Sequence, residues 1–172
     1  MKKIVLTLVI AMFAIIGFPQ NHIDSTPKRP LNSIFINLLG DASIISANYE
    51  KLFFVNSSFI LSGKLGLGYN EEYELCIFGS CSSSTEQYLT IPHHITGNWG
   101  KGRNFFEFGL GGTIINGNTS QNYLLYPIVG YRLQPLKSNK VNFRIFGQIP
   151  FSGIETVDIL FIPFGVSAGV NF

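Results

Sequence analysis

Two adjacent histidines, His93 and His94, sit in the stretch LTIPHHITGN. Imidazole is the side chain best suited to moving protons near neutral pH. A hydrolase needs more: a hydroxyl nucleophile beside the ring and an acid to orient it. Here Ile95 stands two positions after His93, and Thr96 two after His94. Five further ionisable residues, Glu50, Lys64, Glu107, Arg132 and Arg144, lie far apart inside apolar segments, so only the fold can assemble them. Cys76 and Cys81 bracket a short turn in ELCIFGSC. Two cysteines with no nearby histidine make a poor zinc set. The glycines of LGLGYN and GLGG lie inside extended segments, where they read as packing rather than as a phosphate loop. No cofactor or metal is expected.

The elements that would position these residues are strands. Apolar residues alternate with small or polar ones, and turn residues interrupt the alternation repeatedly. Eight strands are predicted, at 32–39, 42–52, 57–69, 88–98, 104–115, 123–134, 140–149 and 160–172. Gly40-Asp41 and Asn116-Gly117-Asn118 carry hairpin chemistry, because Gly and Asn accept positive φ at little cost. In the third strand Phe59, Leu61, Leu65 and Leu67 share a face opposite Ser58, Ser62, Lys64, Gly66 and Gly68. The fifth sets Phe106, Phe108, Leu110 and Ile114 against Glu107, Gly109, Gly111 and Thr113. In the seventh, Val141, Phe143, Ile145 and Ile149 oppose Asn142, Arg144 and Gln148. The last strand, FGVSAGVNF, alternates Phe164, Val166, Ala168, Val170 and Phe172 with Gly165, Ser167, Gly169 and Asn171.

Two closed barrels fit, one the inverse of the other. A soluble ligand-binding barrel holds the apolar face inside, whereas a transmembrane barrel turns it to lipid. Composition favours the second. Charged residues are 13% of the 172 and hydrophobic ones 46%, against roughly 25–35% charge on a water-facing surface. Aromatics reach 14%. The expected fold is therefore all-β: an eight-stranded antiparallel up-and-down transmembrane β-barrel.

The N-terminus reads as an export signal. Lys2 and Lys3 precede the apolar run IVLTLVIAMFAIIGF, which breaks at Pro19. The expected organisation is a signal peptide at 1–20, an N-terminal periplasmic segment at 21–31 and the barrel at 32–172. Without Lys2 and Lys3, ten basic and ten acidic side chains remain, so nucleic-acid binding has no electrostatic support. Export to an oxidising compartment implies a Cys76–Cys81 disulfide.

With both ends of the barrel periplasmic, the longest connections, 70–87 and 150–159, fall outside. Asp41, Glu71, Glu72, Glu74, Glu86, Glu155 and Asp158 then belong in or beside external loops. Lys51, Lys101, Arg103, Lys137 and Lys140 belong to the periplasmic side. Trp99, Tyr49, Phe53, Phe54, Phe105, Tyr131 and Phe172 would form one aromatic girdle, and Tyr69, Tyr73, Tyr88 and Tyr123 the other.

The signal, the eight amphipathic strands and the terminal FGVSAGVNF resemble the small outer-membrane β-barrel proteins of Gram-negative bacteria, the OmpA/OmpX-like architecture. That resemblance implies location in the outer membrane, a monomer among lipid and lipopolysaccharide, and a last strand read by the assembly machinery. Phe164, Val166, Ala168, Val170 and Phe172 match that assembly signal. Glu50, Lys64, Glu107, Arg132 and Arg144 fall by alternation on the lumen face. Enclosed charges must pair, so a salt-bridged network is expected, either a structural plug or the gate of a narrow channel. By alternation His94 joins the lumen and His93 faces lipid, unless Pro92 marks a bulge that swaps them. Outer-membrane lipid A deacylases carry a lipid-facing His-x-Ser. This chain departs from that pattern, because the residue two positions after His93 is Ile95. The expected role is structural or surface-presenting, with no enzymatic activity. A narrow channel, a lipid-modifying enzyme and a soluble ligand-binding barrel are the alternatives.

Overall fold

The computed structural model describes residues 29–71, 86–119, 121–136, 140–152 and 159–172. It contains eight strands: β1 Asn32–Leu38, β2 Ile45–Asn56, β3 Phe59–Glu71, β4 Gln87–Lys101, β5 Asn104–Asn116, β6 Tyr123–Leu133, β7 Val141–Gln148 and β8 Phe164–Asn171. Each pairs antiparallel with its sequence neighbours, and β8 returns to β1, so the sheet is a closed barrel without a free edge. At the seam the Phe172 N–H donates to the Asn32 carbonyl at 2.9 Å, and the Asn32 N–H donates to the Phe172 carbonyl at 3.2 Å. The described residues contain no helix. The predicted signal peptide, Cys76, Cys81 and most of the longest loop lie outside the described residues.

The alternation read from sequence sets the faces. Ile34, Ile36, Leu38, Leu65, Leu67, Leu110, Val129 and Ile145 point outward, each 51–60% exposed. Ser33, Asn37, Ser46, Asn48, Ser62, Thr90, Thr96, Thr113, Ser167 and Asn171 point inward and are buried. In β8, Phe164, Ala168 and Val170 face outward, Val166 is half-buried on the same face, and Phe172 is exposed at the end.

The interior differs from expectation in one respect. It is not uniformly small and polar. Phe35, Phe105, Leu124, Tyr126, Ile128 and Phe146 are all buried inside. The sequence of β6, YLLYPIVGYRL, is apolar on both faces, so alternation cannot say which face is the inner one. All of these but Phe35 belong to two clusters. One joins Ala42, Tyr88, Ile115, Leu124, Tyr126, Ile128, Phe146, Ile159 and Phe161 toward the long-loop end. The other joins Leu52, Ile60 and Phe105, with Phe54 against them, toward the short-turn end. Phe105 and Tyr88, expected in the girdles, are thus inside at 1% and 2% exposure. Trp99, Tyr49, Tyr131 and Tyr123 do face outward.

Pro92 does not mark a bulge. It sits opposite Thr113 in an unshifted β4–β5 register, while the β3–β4 ladder skips the two pairs around it. Proline has no N–H to donate, and the chain accommodates this without slipping. The faces of His93 and His94 are therefore as alternation dictates.

Candidate functional site

Register builds the charged site. Glu50 on β2 lies opposite Lys64 on β3, and Lys64 lies opposite His94 on β4. Across the barrel Arg132 on β6 lies opposite Arg144 on β7. Two like charges opposed across a ladder repel, so acids must come from elsewhere, and they reach in from the facing wall. Glu50 accepts a two-pronged bond from the Arg132 guanidinium, at 2.7 and 2.8 Å. Arg132 Nη2 also reaches Glu107 Oε1 at 3.3 Å, and Arg144 Nε donates to Glu107 Oε2 at 2.5 Å. The Thr96 hydroxyl donates to Glu107 at 2.8 Å. All five predicted charges thus share one buried site.

A sixth member completes it. Asp41 was expected in an external loop, yet it is fully buried in the lumen, where Lys64 Nζ and Asn37 Nδ2 both donate to its Oδ2. The turn explains how. Leu39, Gly40, Asp41 and Ala42 take left-handed φ of 62°, 72°, 57° and 51° in succession. This coils the β1–β2 connection inward, and it is why β2 begins at Ile45 rather than at residue 42. Left-handed backbone costs about 1–2 kcal/mol per non-glycine residue. Bonds into the barrel wall offset that: Thr113 Oγ1 donates to the Asp41 carbonyl, and Asn70 Nδ2 to the Ala42 carbonyl, both at 2.8 Å. A Cβ on Gly40 would stand 2.9 Å from the Phe146 ring. Burial works to raise the Asp41 carboxyl, while the hydrogen bond from the His94 N–H and the Lys64 ammonium lower it. The balance holds it well below the usual carboxylate range.

His94 links the two halves. Arg144 Nη2 lies 3.4 Å from its Nδ1, and a guanidinium can only donate, so Nδ1 is the accepting nitrogen. The proton then belongs on Nε2, which lies 2.9 Å from Asp41 Oδ1 and 3.3 Å from the Tyr126 hydroxyl. Gly111 makes room for this, since a Cβ there would meet Tyr126 at 2.5 Å and His94 at 2.6 Å. Asp41, Glu50 and Glu107 balance Lys64, Arg132 and Arg144 around a neutral imidazole. Every charged member has a side chain no more than 4% exposed. A cavity of about 10 Å³ lies beside Glu50, Arg132, Gln134, Asn142 and Ser167, room for about one water molecule.

Among the described residues neither histidine ring is hydrogen-bonded to a Ser or Thr hydroxyl; each meets a tyrosine hydroxyl. Thr96 donates to Glu107 rather than to His94. His93 faces outward, with Nδ1 3.2 Å from the Ile91 carbonyl and Nε2 3.0 Å from the Tyr123 hydroxyl. The His93 and Tyr123 rings stack with centroids 5.6 Å apart, over Gly112, whose missing side chain leaves the space. An outward histidine is thereby satisfied within the protein. No group of three or more potential metal ligands exists among the described residues.

Sequence reasoning missed Asp41 and the lumenal apolar residues. One signal pointed to the former. Glu50 and Glu107 leave three enclosed cations one charge short, and a sealed interior demands the missing acid. Searched against protein-family models, curated proteins and solved structures, the chain matches none.

Proposed function

We propose that this protein is an outer-membrane barrel with a structural or surface-presenting role, a lipid-embedded wall whose lumen is filled. One observation carries the reading: the inside-out distribution of polarity. Aliphatic and aromatic side chains stand outward on all eight strands, while six charges are enclosed. A soluble barrel would expose its charges and hide its large hydrophobics, and contiguous apolar surface on this scale needs a partner. Lipid is the partner that could cover a surface running around the entire barrel. Closure leaves no strand edge with unpaired backbone groups, as hydrocarbon requires.

The filled interior favours a wall over a pore. Apolar clusters stand at both ends, a balanced ion network occupies the middle, and the Asp41 turn folds into the lumen. In the same packing the hydroxyl beside His94 belongs to Tyr126, which is itself bonded to Thr113. In this reading the outward residues of β8, Phe164 to Phe172, serve as the assembly signal, and the long loops present the protein's outer surface. Lipopolysaccharide and phospholipid are its surroundings, and it works as a single copy.

The test is membrane fractionation with electrophoresis of unheated and heated samples. The expected result is recovery with outer membranes and a folded form that migrates apart from the heated one. Planar bilayers should register no unitary conductance. Recovery in the soluble fraction would refute the membrane reading, and steady single-channel currents would replace the wall with a pore.

A further inference from the structure

Outside the lumen, every described cation lies at one end of the barrel. Lys51, Lys101, Arg103 and Lys140 stand around the short-turn end, and Arg29 lies there too, its guanidinium 5.1 Å from the centre of the Phe105 ring. No acidic side chain among the described residues faces outward at that end. The opposite end has Glu71 and Glu86 and no described cation outside the lumen. A formal net charge of only +2 thus conceals a strongly polar molecule.

The cations are arranged with respect to the apolar belt. On β4 the outward face runs Ile95, Gly97, Trp99, Lys101, and on β2 it runs Ala47, Tyr49, Lys51. Aliphatic surface gives way to an aromatic ring and then to a cation, at two-residue steps of about 7 Å. Lys51 Nζ lies 5.9 Å from the centre of the Phe53 ring. Hydrocarbon, interface and headgroup call for this order, because amphipathic rings settle at the interface and long cationic side chains extend from it. Of the cations at this end, Arg103 Nε and Arg29 Nη1 are buried and have no acceptor among the described residues.

We infer that the short-turn end binds anionic phospholipid headgroups, and that the barrel selects them over zwitterionic ones. This rests on the membrane reading above. Phosphate oxygens would accept from the exposed Lys51, Lys101 and Lys140, and clustered cations gather anionic lipid electrostatically. The predicted external loops are acid-rich, so the preference belongs to the leaflet at the short-turn end.

The experiment refolds the full barrel into phosphatidylcholine vesicles, with and without one-fifth phosphatidylglycerol, and measures lipids retained on the protein by native mass spectrometry. Wild type should retain phosphatidylglycerol preferentially, less so at high salt. Lys51→Gln, Lys101→Gln and Lys140→Gln combined should abolish the preference, each lysine contributing up to about fivefold, while the heat-dependent migration stays unchanged. A folded wild-type barrel without preference, or a triple variant that keeps it, overturns the inference and leaves the membrane reading standing. Failure of wild type to insert into either vesicle overturns that reading, and the inference with it.

Discussion

Asp41 ties a backbone turn to a buried charge. Its carboxylate faces Lys64 and His94 in a space that admits no counter-ion from solvent. Removing one partner of a buried pair costs about 3–5 kcal/mol, most of it from stranding the other charge. Asp41→Asn should therefore lower the stability of the folded barrel by about that amount in urea titrations of vesicle-inserted protein. Adding Lys64→Met should restore much of the loss, because the stranded ammonium goes too. The pH dependence has a definite sign. A carboxyl held below its unfolded value contributes stability that is full above that value and declines as pH falls. The gap between wild type and Asp41→Asn should narrow below about pH 4. A gap that widens in acid would contradict the ion pair.

At the scale of elements, the β1–β2 turn and strand β6 are where sequence and structure part. Period-two alternation gave eight strands with most ends within three residues, since β1, β3, β5 and β8 each have one plainly apolar face. It failed on β6, whose faces are both apolar, and at Phe146, which breaks the inward polar row of β7. Gly40-Asp41 reads as an ordinary hairpin tip. Nothing local says that four successive left-handed residues will turn it inward, because the partners that hold it, Lys64, Asn70 and Thr113, are distant in sequence. The five charged residues were legible as a site because alternation put them on one face. Space inside the barrel is the complementary constraint. Gly111→Val would force side-chain atoms into Tyr126 and His94, and overpacking of this kind costs about 1–3 kcal/mol. Its urea midpoint should fall accordingly. Deleting Phe172 removes both backbone bonds to Asn32 at the seam, and the fraction migrating as folded barrel should drop.

The whole molecule sorts its residues against the habit of soluble proteins, with charges within and hydrocarbon without. This accounts for the low charge content and the abundant aromatics together. It also makes the only tryptophan a reporter. Trp99 is 65% exposed on the outer wall of β4, two residues from Lys101. Water or lipid must cover it, and a lipid-embedded barrel requires lipid. The most direct measurement is Trp99 fluorescence of the refolded protein in vesicles whose lipids carry bromine at defined acyl depths. Strong quenching by bromines near the headgroup end of the chains, weaker quenching by deep ones and protection from aqueous iodide are the results predicted. Unquenched emission in brominated vesicles, with full access to iodide, would contradict the lipid-embedded barrel.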